Sequence, residues 1–324
     1  MSLTKPRVLT IPLRHPMTWK ASLQAGRLFK EPQMSFLVFA SPKSGTTWLQ
    51  RMLSAHPEAV CAESRPFGDY YDPISLTAPH LTLEKYTSIL GQYFAPAVDG
   101  LKAADTGFYQ TLLFNLIDTV AATTQAAVNK RVYGEKFTPY RGTAEQALSA
   151  LREYHPGIKF VNLTRDGRDV IVSGAVQWLN LRLRQAPPGE REIFEKALRE
   201  RTILATEFDM FLEYWIDAAR AGLKAQTVFR HYLHLSYESL VADPMTQAVK
   251  LFQFLGLNSD PDLLGSCIRA AAFETLSGGR QCGQENNGSF FRKGVVGDWK
   301  NWFRAEQRDL FEQRAGTLLK SLGY

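Results

Sequence analysis

The sequence predicts an α/β fold, a mostly parallel sheet flanked by helices on both sides. Three observations carry this. Residues 36–40 (FLVFA) form an uninterrupted apolar run that leads through PKSGTTW into a helical pattern. Residues 159–163 (KFVNL) repeat the plan, leading through TRDGRD into VIVSGAVQWLNLRL. Beyond them strand-like and helix-like periods keep alternating, as expected of a sheet built by crossover connections.

Taken in order, FLVFA reads as a strand buried on both faces, because no position in it alternates to polar. From Thr46, the sequence TTWLQRMLSAHP carries Trp48, Leu49, Met52 and Leu53 at helical spacing, and Pro57 ends the run. A short strand is expected at residues 131–134, followed by the KFVNL strand and its helix. Past the turn at Pro187, Pro188 and Gly189, residues 190–223 read as one long helix and residues 228–235 as a strand. TQAVKLFQFLGL reads as a helix closed by Gly256, and another helix is expected around residues 263–272. The whole chain of 324 residues is expected to be one domain, with residues 1–34 as an N-terminal extension.

Hydrophobic residues make up 45% and charged residues 22%, which argues against a disordered or fibrous chain. The net charge of +6 favours anionic ligands but contains no run of five basic residues, so it does not imply a polyanion partner. Cys61, Cys267 and Cys282 show no CxxC spacing and read as reduced thiols. The first apolar stretch is interrupted by Pro12 and Arg14, and no stretch approaches about 18 uninterrupted apolar residues, so a cytoplasmic location is expected.

PKSGTTW places consecutive backbone amides, a lysine and three hydroxyls where a strand turns into a helix, a setting that attracts phosphate or sulfate. The loop is P-loop-like, but Lys43 precedes the only glycine, Gly45, whereas the nucleotide-triphosphate loop GxxxxGK[ST] has its lysine after the second glycine. A kinase or ATPase, with its need for Mg2+, is therefore disfavoured; a loop that merely caps a helix is the plainer alternative. RDGRDVIVS puts Arg165 at a strand end and Ser173 two turns into a helix, which suits a second phosphate. Taken alone, its four charges also read as a solvated salt-bridge cluster. FRKGVVGDWKNWF sets Arg292 and Lys293 before Gly294, where the backbone can approach a phosphate closely. On its own this is equally a basic patch interleaved with aromatics for nucleic acid. Three such elements in one chain argue for one ligand with several anionic groups.

Together these segments resemble the signature set of sulfotransferases that use 3′-phosphoadenosine 5′-phosphosulfate (PAPS), in order and in spacing. PKSGTTW is similar to the family's 5′-phosphosulfate loop, and RDGRDVIVS to its 3′-phosphate motif. RKGVVGDWKNWF matches the C-terminal RKGxxGDWKxxF motif of the cytosolic branch. The resemblance implies that Lys43, Ser44, Gly45, Thr46 and Thr47 hold the phosphosulfate and that Trp48 stacks on adenine. It implies that Arg165, Ser173, Arg292, Lys293 and Gly294 hold the 3′-phosphate. HLSYESLVADP resembles the family's YEDL segment, which places Tyr237 near the adenine, with Phe273 beside it; by residue type alone all three aromatics are core packing. The implied reaction is in-line sulfuryl transfer from PAPS to a hydroxyl, leaving PAP, with Lys43 stabilising the leaving group and no metal ion required.

The general base is where the chain departs from the cytosolic branch. That branch supplies a histidine from a KTHLP-like segment, but VYGEKFTPY has none. AHPEAVCAESRPF instead resembles tyrosylprotein sulfotransferases, whose catalytic carboxylate falls at Ser64, one residue beyond Glu63. Glu63 is the nearest candidate base and Glu135 the next, with Lys136 orienting sulfuryl oxygens. Each also reads as an ordinary salt-bridge partner. His56, before Pro57, reads as a capping or packing residue, and His80 as an outside candidate for acceptor contact. Residues 68–128 form a variable stretch expected on the acceptor side, with Phe67, Tyr70 and Tyr71 near the acceptor. A small-molecule acceptor is expected, not nucleic acid, while the oligomeric state is open because the KxxxTVxxxE dimer motif is missing before Arg292. The rival outside enzymes is a non-catalytic polyanion-binding module.

Overall fold

The computed structural model describes residues 28–63, 91–92, 106–139 and 142–324. Five strands, β1 (Phe36–Phe39), β2 (Ala59–Glu63), β3 (Val132–Phe137), β4 (Lys159–Thr164) and β5 (His231–Ser236), form one sheet in the order β2-β3-β1-β4-β5. Every pairing is parallel. The continuous apolar run of β1 follows from its central place. Phe36 and Val38 pack into one layer, while Leu37 and Phe39 pack into the other, and all four are fully buried. Gly134 stands opposite Phe36 in β3, where the phenyl ring lies so close that a Cβ would meet it at 2.3 Å.

Helices cover both faces. In chain order they begin with α1 (Thr46–Ala55), α2 (Thr106–Val128), α3 (Ala144–Tyr154), α4 (Gly167–Gln185), α5 (Pro188–Arg199) and α6 (Ala205–Val228). They continue with α7 (Tyr237–Ala242), α8 (Pro244–Leu255), α9 (Pro261–Ala270), α10 (Phe273–Ser277) and α11 (Ala305–Ser321). One layer joins Leu49, Met52 and Leu53 of α1 to Leu251 and Phe252 of α8 and Leu264 of α9. The opposite layer joins Phe114 of α2, Leu151 of α3 and Ala221 of α6. Helix α4 packs on α6 and α11 through Ile171, Val172, Trp215 and Phe311. Among the described residues, no helix is long and apolar enough to cross a membrane.

Several boundaries differ from the sequence expectation: the strand expected at residues 131–134 runs over Val132–Phe137, and two larger differences have a plain physical reason. The single long helix over residues 190–223 is two, α5 and α6, separated where Arg201 takes a left-handed φ of 50°. No glycine or proline marks this break, and each half keeps its own apolar stripe, so periodicity runs through it. The strand expected from residue 228 begins at His231, because Val228 is the last residue of α6. β5 lies at the sheet edge with its first four residues partly exposed, which weakens its apolar signal. Helix α1 ends at Ala55, and His56 turns extended ahead of Pro57, as that proline requires. The buried His56 ring accepts from Glu58 N at 3.1 Å and lies 3.0 Å from the Asn258 carbonyl, a capping and packing arrangement.

Candidate functional site

The strand order puts the loops after β1 and β4 side by side at the carboxyl edge of the sheet, where the chain's excursions to either side diverge. Such a switch point leaves a crevice between adjacent loops. The loop after β1 is shaped by two left-handed residues, Lys43 at φ 70° and Gly45 at φ 90°. Gly45 caps α1 without a side-chain hydrogen bond, so the first-turn amides of the helix keep their donors.

A cavity of about 320 Å³ opens on this loop. Lys43, Gly45, Thr46, Thr47 and Trp48 line one part of it. Arg165 and Ser173 line another, as do Tyr237 and Phe273. Arg292, Lys293 and Gly294 complete the wall from the C-terminal segment. Ser44 is not in that lining: its hydroxyl is buried with no hydrogen-bond partner among the described residues, and the residue borders a separate small cavity with Asn162 and Thr164. Phe67, Tyr70, Tyr71, His80 and Ser64 lie outside the described residues, as does much of the variable stretch.

Two glycines let aromatic rings into this wall. A Cβ on Gly45 would meet the Tyr237 ring at 2.5 Å, and one on Gly294 (φ 69°) would meet the Phe273 ring at 2.5 Å. Trp48 and Tyr237 stand edge to face with centroids 5.6 Å apart. The Arg165 guanidinium sits 4.3 Å over the Tyr237 ring and donates to the carbonyls of Lys43 (3.0 Å) and Val295 (3.3 Å). The other charges of RDGRD divide their work. Arg168 pairs with Asp166 at 2.7 Å and covers the Trp299 ring at 4.1 Å. Asp169 accepts from the amides of Gly297 (2.7 Å) and Trp299 (2.9 Å), tying the C-terminal segment to α4.

Asp298 performs a similar task within that segment, accepting from Arg292 (2.6 Å), Lys293 (2.7 Å) and Asn301 (2.9 Å). Burial alone would raise its carboxyl, but the hydrogen bonds from Lys293 and Asn301 and the charge of Arg292 hold it at about 2. Asp169 and Asp298 both lie inside the motifs, where Asp169 reads as part of a solvated salt-bridge cluster and Asp298 carries no reading of its own. Their signal is an acidic residue embedded among cations, which sequence alone cannot tell from a surface pair.

Lys43 donates to the Gln177 side chain on α4 and lies 4.3 Å over the Phe290 ring. Burial first, and then the like charges of Arg165, Arg292 and Lys136, push its ammonium down to about 7. Among the described residues, the cavity is lined by Lys43, Arg165, Arg292 and Lys293 and by no carboxylate. Gln177 was also missed; it falls four residues after Ser173, on the same helical face.

Beside the loop, Lys136 donates to Thr47 Oγ1 at 3.3 Å and pairs with Glu63 at 2.5 Å. Glu63 and Lys136 are register neighbours on β2 and β3, so they share a face with α1. Glu135 alternates to the opposite face, where it accepts from the Tyr133 hydroxyl at 2.9 Å. The nearby Cys61 thiol is pushed up by burial and by the charges of Glu135 and Glu63, against the pull of Lys136.

The sulfotransferase-domain family model matches residues 33–323. The chain is 27% identical over 176 residues to human sulfotransferase 2A1, covering 51% of this chain and 59% of that protein. It is 26% identical over 300 residues to cytosolic sulfotransferase 17 of Arabidopsis thaliana, covering 88% of this chain and 74% of that one. The chain thus spans little more than half the length of the mammalian relative. Among solved structures, the sulfotransferase domain of the Synechococcus PCC 7002 olefin synthase superposes with a TM-score of 0.53. Its identity is 19%, over 92% of this chain and 98% of that one, a likeness of fold.

Proposed function

Since this chain belongs to the sulfotransferase family, we propose that it moves a sulfuryl group from PAPS to a hydroxyl of a small-molecule acceptor. The observation that supports this reading best is the meeting of three sequence-distant elements, the Lys43 loop, Arg165 with Ser173, and the Arg292 segment, around one cavity. The cavity suits a nucleotide with anions at both ends. It combines uncapped helix amides, a Lys43 ammonium lowered first by burial and then by the neighbouring cations, and two glycines where a side chain would intrude.

PAPS supplies the sulfuryl group, which passes from its 5′-phosphate oxygen to the acceptor oxygen. Lys43, with the α1 amides, Thr46 and Thr47, holds the phosphosulfate end and neutralises the charge that collects on the departing phosphate. Arg165, Ser173, Arg292, Lys293 and Gly294 hold the 3′-phosphate, and Trp48, Tyr237 and Phe273 enclose the adenine. Ser44 takes no part through its hydroxyl, which is buried outside the cavity lining. Glu63 takes the acceptor's hydroxyl proton on a carboxylate oxygen, and Lys136, its partner, orients sulfuryl oxygens. Glu135 is the weaker candidate base because it faces the other layer.

Transfer of label from ³⁵S-PAPS, in the presence of EDTA, to a panel of phenols, alcohols and a tyrosine peptide tests this reading. Labelled sulfate ester on at least one hydroxyl compound is expected. Binding of the donor with no transfer to any of them would favour the non-catalytic polyanion-binding module.

Gly45→Ala and Gly294→Ala are each expected to weaken PAP binding by about tenfold or more. A Cβ at either place meets an aromatic ring and a positive φ, each costing on the order of 1 kcal/mol. Isothermal titration with PAP, paired with melting curves, separates the local loss from a general destabilisation.

A further inference from the structure

The peptide that follows Arg165 is gripped at both ends. Its carbonyl accepts from the Trp215 indole at 2.9 Å, and its N–H, on Asp166, donates to one carboxylate oxygen of Glu238 at 3.1 Å. The other Glu238 oxygen accepts from the Tyr324 hydroxyl at 2.7 Å. That hydroxyl also lies 3.3 Å from Thr164 Oγ1, whose second neighbour is His234 Nε2 at 2.9 Å. Glu238 follows Tyr237, whose ring carries Arg165 and abuts Gly45. One carboxylate therefore links a side chain far along the sequence to the backbone that aims the arginine.

We propose that Tyr324 and Glu238 are positioning residues that fix Arg165 for the 3′-phosphate, and so set the preference for PAPS over nucleotides lacking that group. This rests on the reading of the cavity given above. A guanidinium held by two carbonyls, a ring and a clamped peptide loses little freedom when it meets an anion. Loosening the clamp therefore costs most for ligands that use Arg165. Burial first, then the charge of Glu238, push the Tyr324 phenol well above its ordinary value, so it donates throughout the neutral range. Burial also raises the Glu238 carboxyl, against the hydrogen bonds from Tyr324 and from Asp166 N–H.

The test is isothermal titration of the full chain, wild type, Tyr324→Phe and Glu238→Gln, with PAP and with AMP, alongside melting temperatures. Tyr324→Phe is expected to weaken PAP about 3- to 10-fold while AMP affinity changes less than about twofold, less than the full worth of one hydrogen bond to a charged group because the loss reaches the ligand only through Arg165. Glu238→Gln is expected to shift the PAP-to-AMP ratio in the same direction, and it carries the test if Tyr324→Phe melts below the assay temperature. Equal losses for both nucleotides, or an unchanged ratio in a wild type that does discriminate, overturn the positioning role. A wild type with no preference for PAP overturns the reading of the cavity itself, and this inference with it.

Discussion

Replacing Lys43 by methionine is expected to lower turnover about 10²- to 10³-fold, the usual cost of removing one preorganised donor at a developing anion. The other cations and the α1 amides remain, so PAP affinity falls much less. The expectation rests on placement, since Lys43 stands in the loop before Gly45, inside the cavity, with its ammonium held by Gln177. It also has a pH signature. With the lysine lowered to about 7, part of the free protein carries a neutral amine near neutrality. A bound anion favours the ammonium and raises its pKa, so between the free and bound values binding takes up a proton. PAP affinity therefore declines as pH rises above about 7. Titrations in buffers of different ionisation enthalpy read the proton directly, and Lys43→Met should abolish the uptake.

Glu63→Gln is expected to reduce turnover by about 10²- to 10⁴-fold, the range of general-base contributions, with PAP affinity preserved. Glu63 lies beside Lys136 rather than in the cavity wall, and its side chain keeps 30% exposure against 3% for Lys136. A carboxylate so placed is reachable by an acceptor hydroxyl, with the more buried Lys136 beneath it. The substitution also removes the counter-charge of a buried lysine, so Glu135→Gln is the control. That variant disturbs the Tyr133 contact on the other face and is expected to affect stability more than rate. Turnover that survives in Glu63→Gln and fails in Glu135→Gln would reverse the assignment of the base.

Much of the central scaffold was legible from the chain. FLVFA reads as a doubly buried strand because β1 is the middle strand, and PKSGTTW reads as an anion loop because it joins that strand to a helix. What was hidden depends on partners distant in sequence. The break at Arg201 carries no glycine or proline, so helical periodicity runs through it. Ser44 resembles its loop neighbours by type, but a left-handed residue on either side turns its hydroxyl into the interior. Asp169 and Asp298 earn their roles only when the C-terminal segment folds onto α4. Glu135 and Lys136 are adjacent in sequence and were weighed together, yet strand alternation sends them to opposite layers.

The most direct test is the affinity of the wild-type chain for PAP against AMP, measured without divalent metal. If Arg165, Ser173, Arg292 and Lys293, which line one cavity, hold the 3′-phosphate as proposed, PAP binds about 10²-fold or more tightly than AMP, since each charged hydrogen bond to that group contributes about 1.5–3 kcal/mol. Equal affinity for the two nucleotides would contradict it.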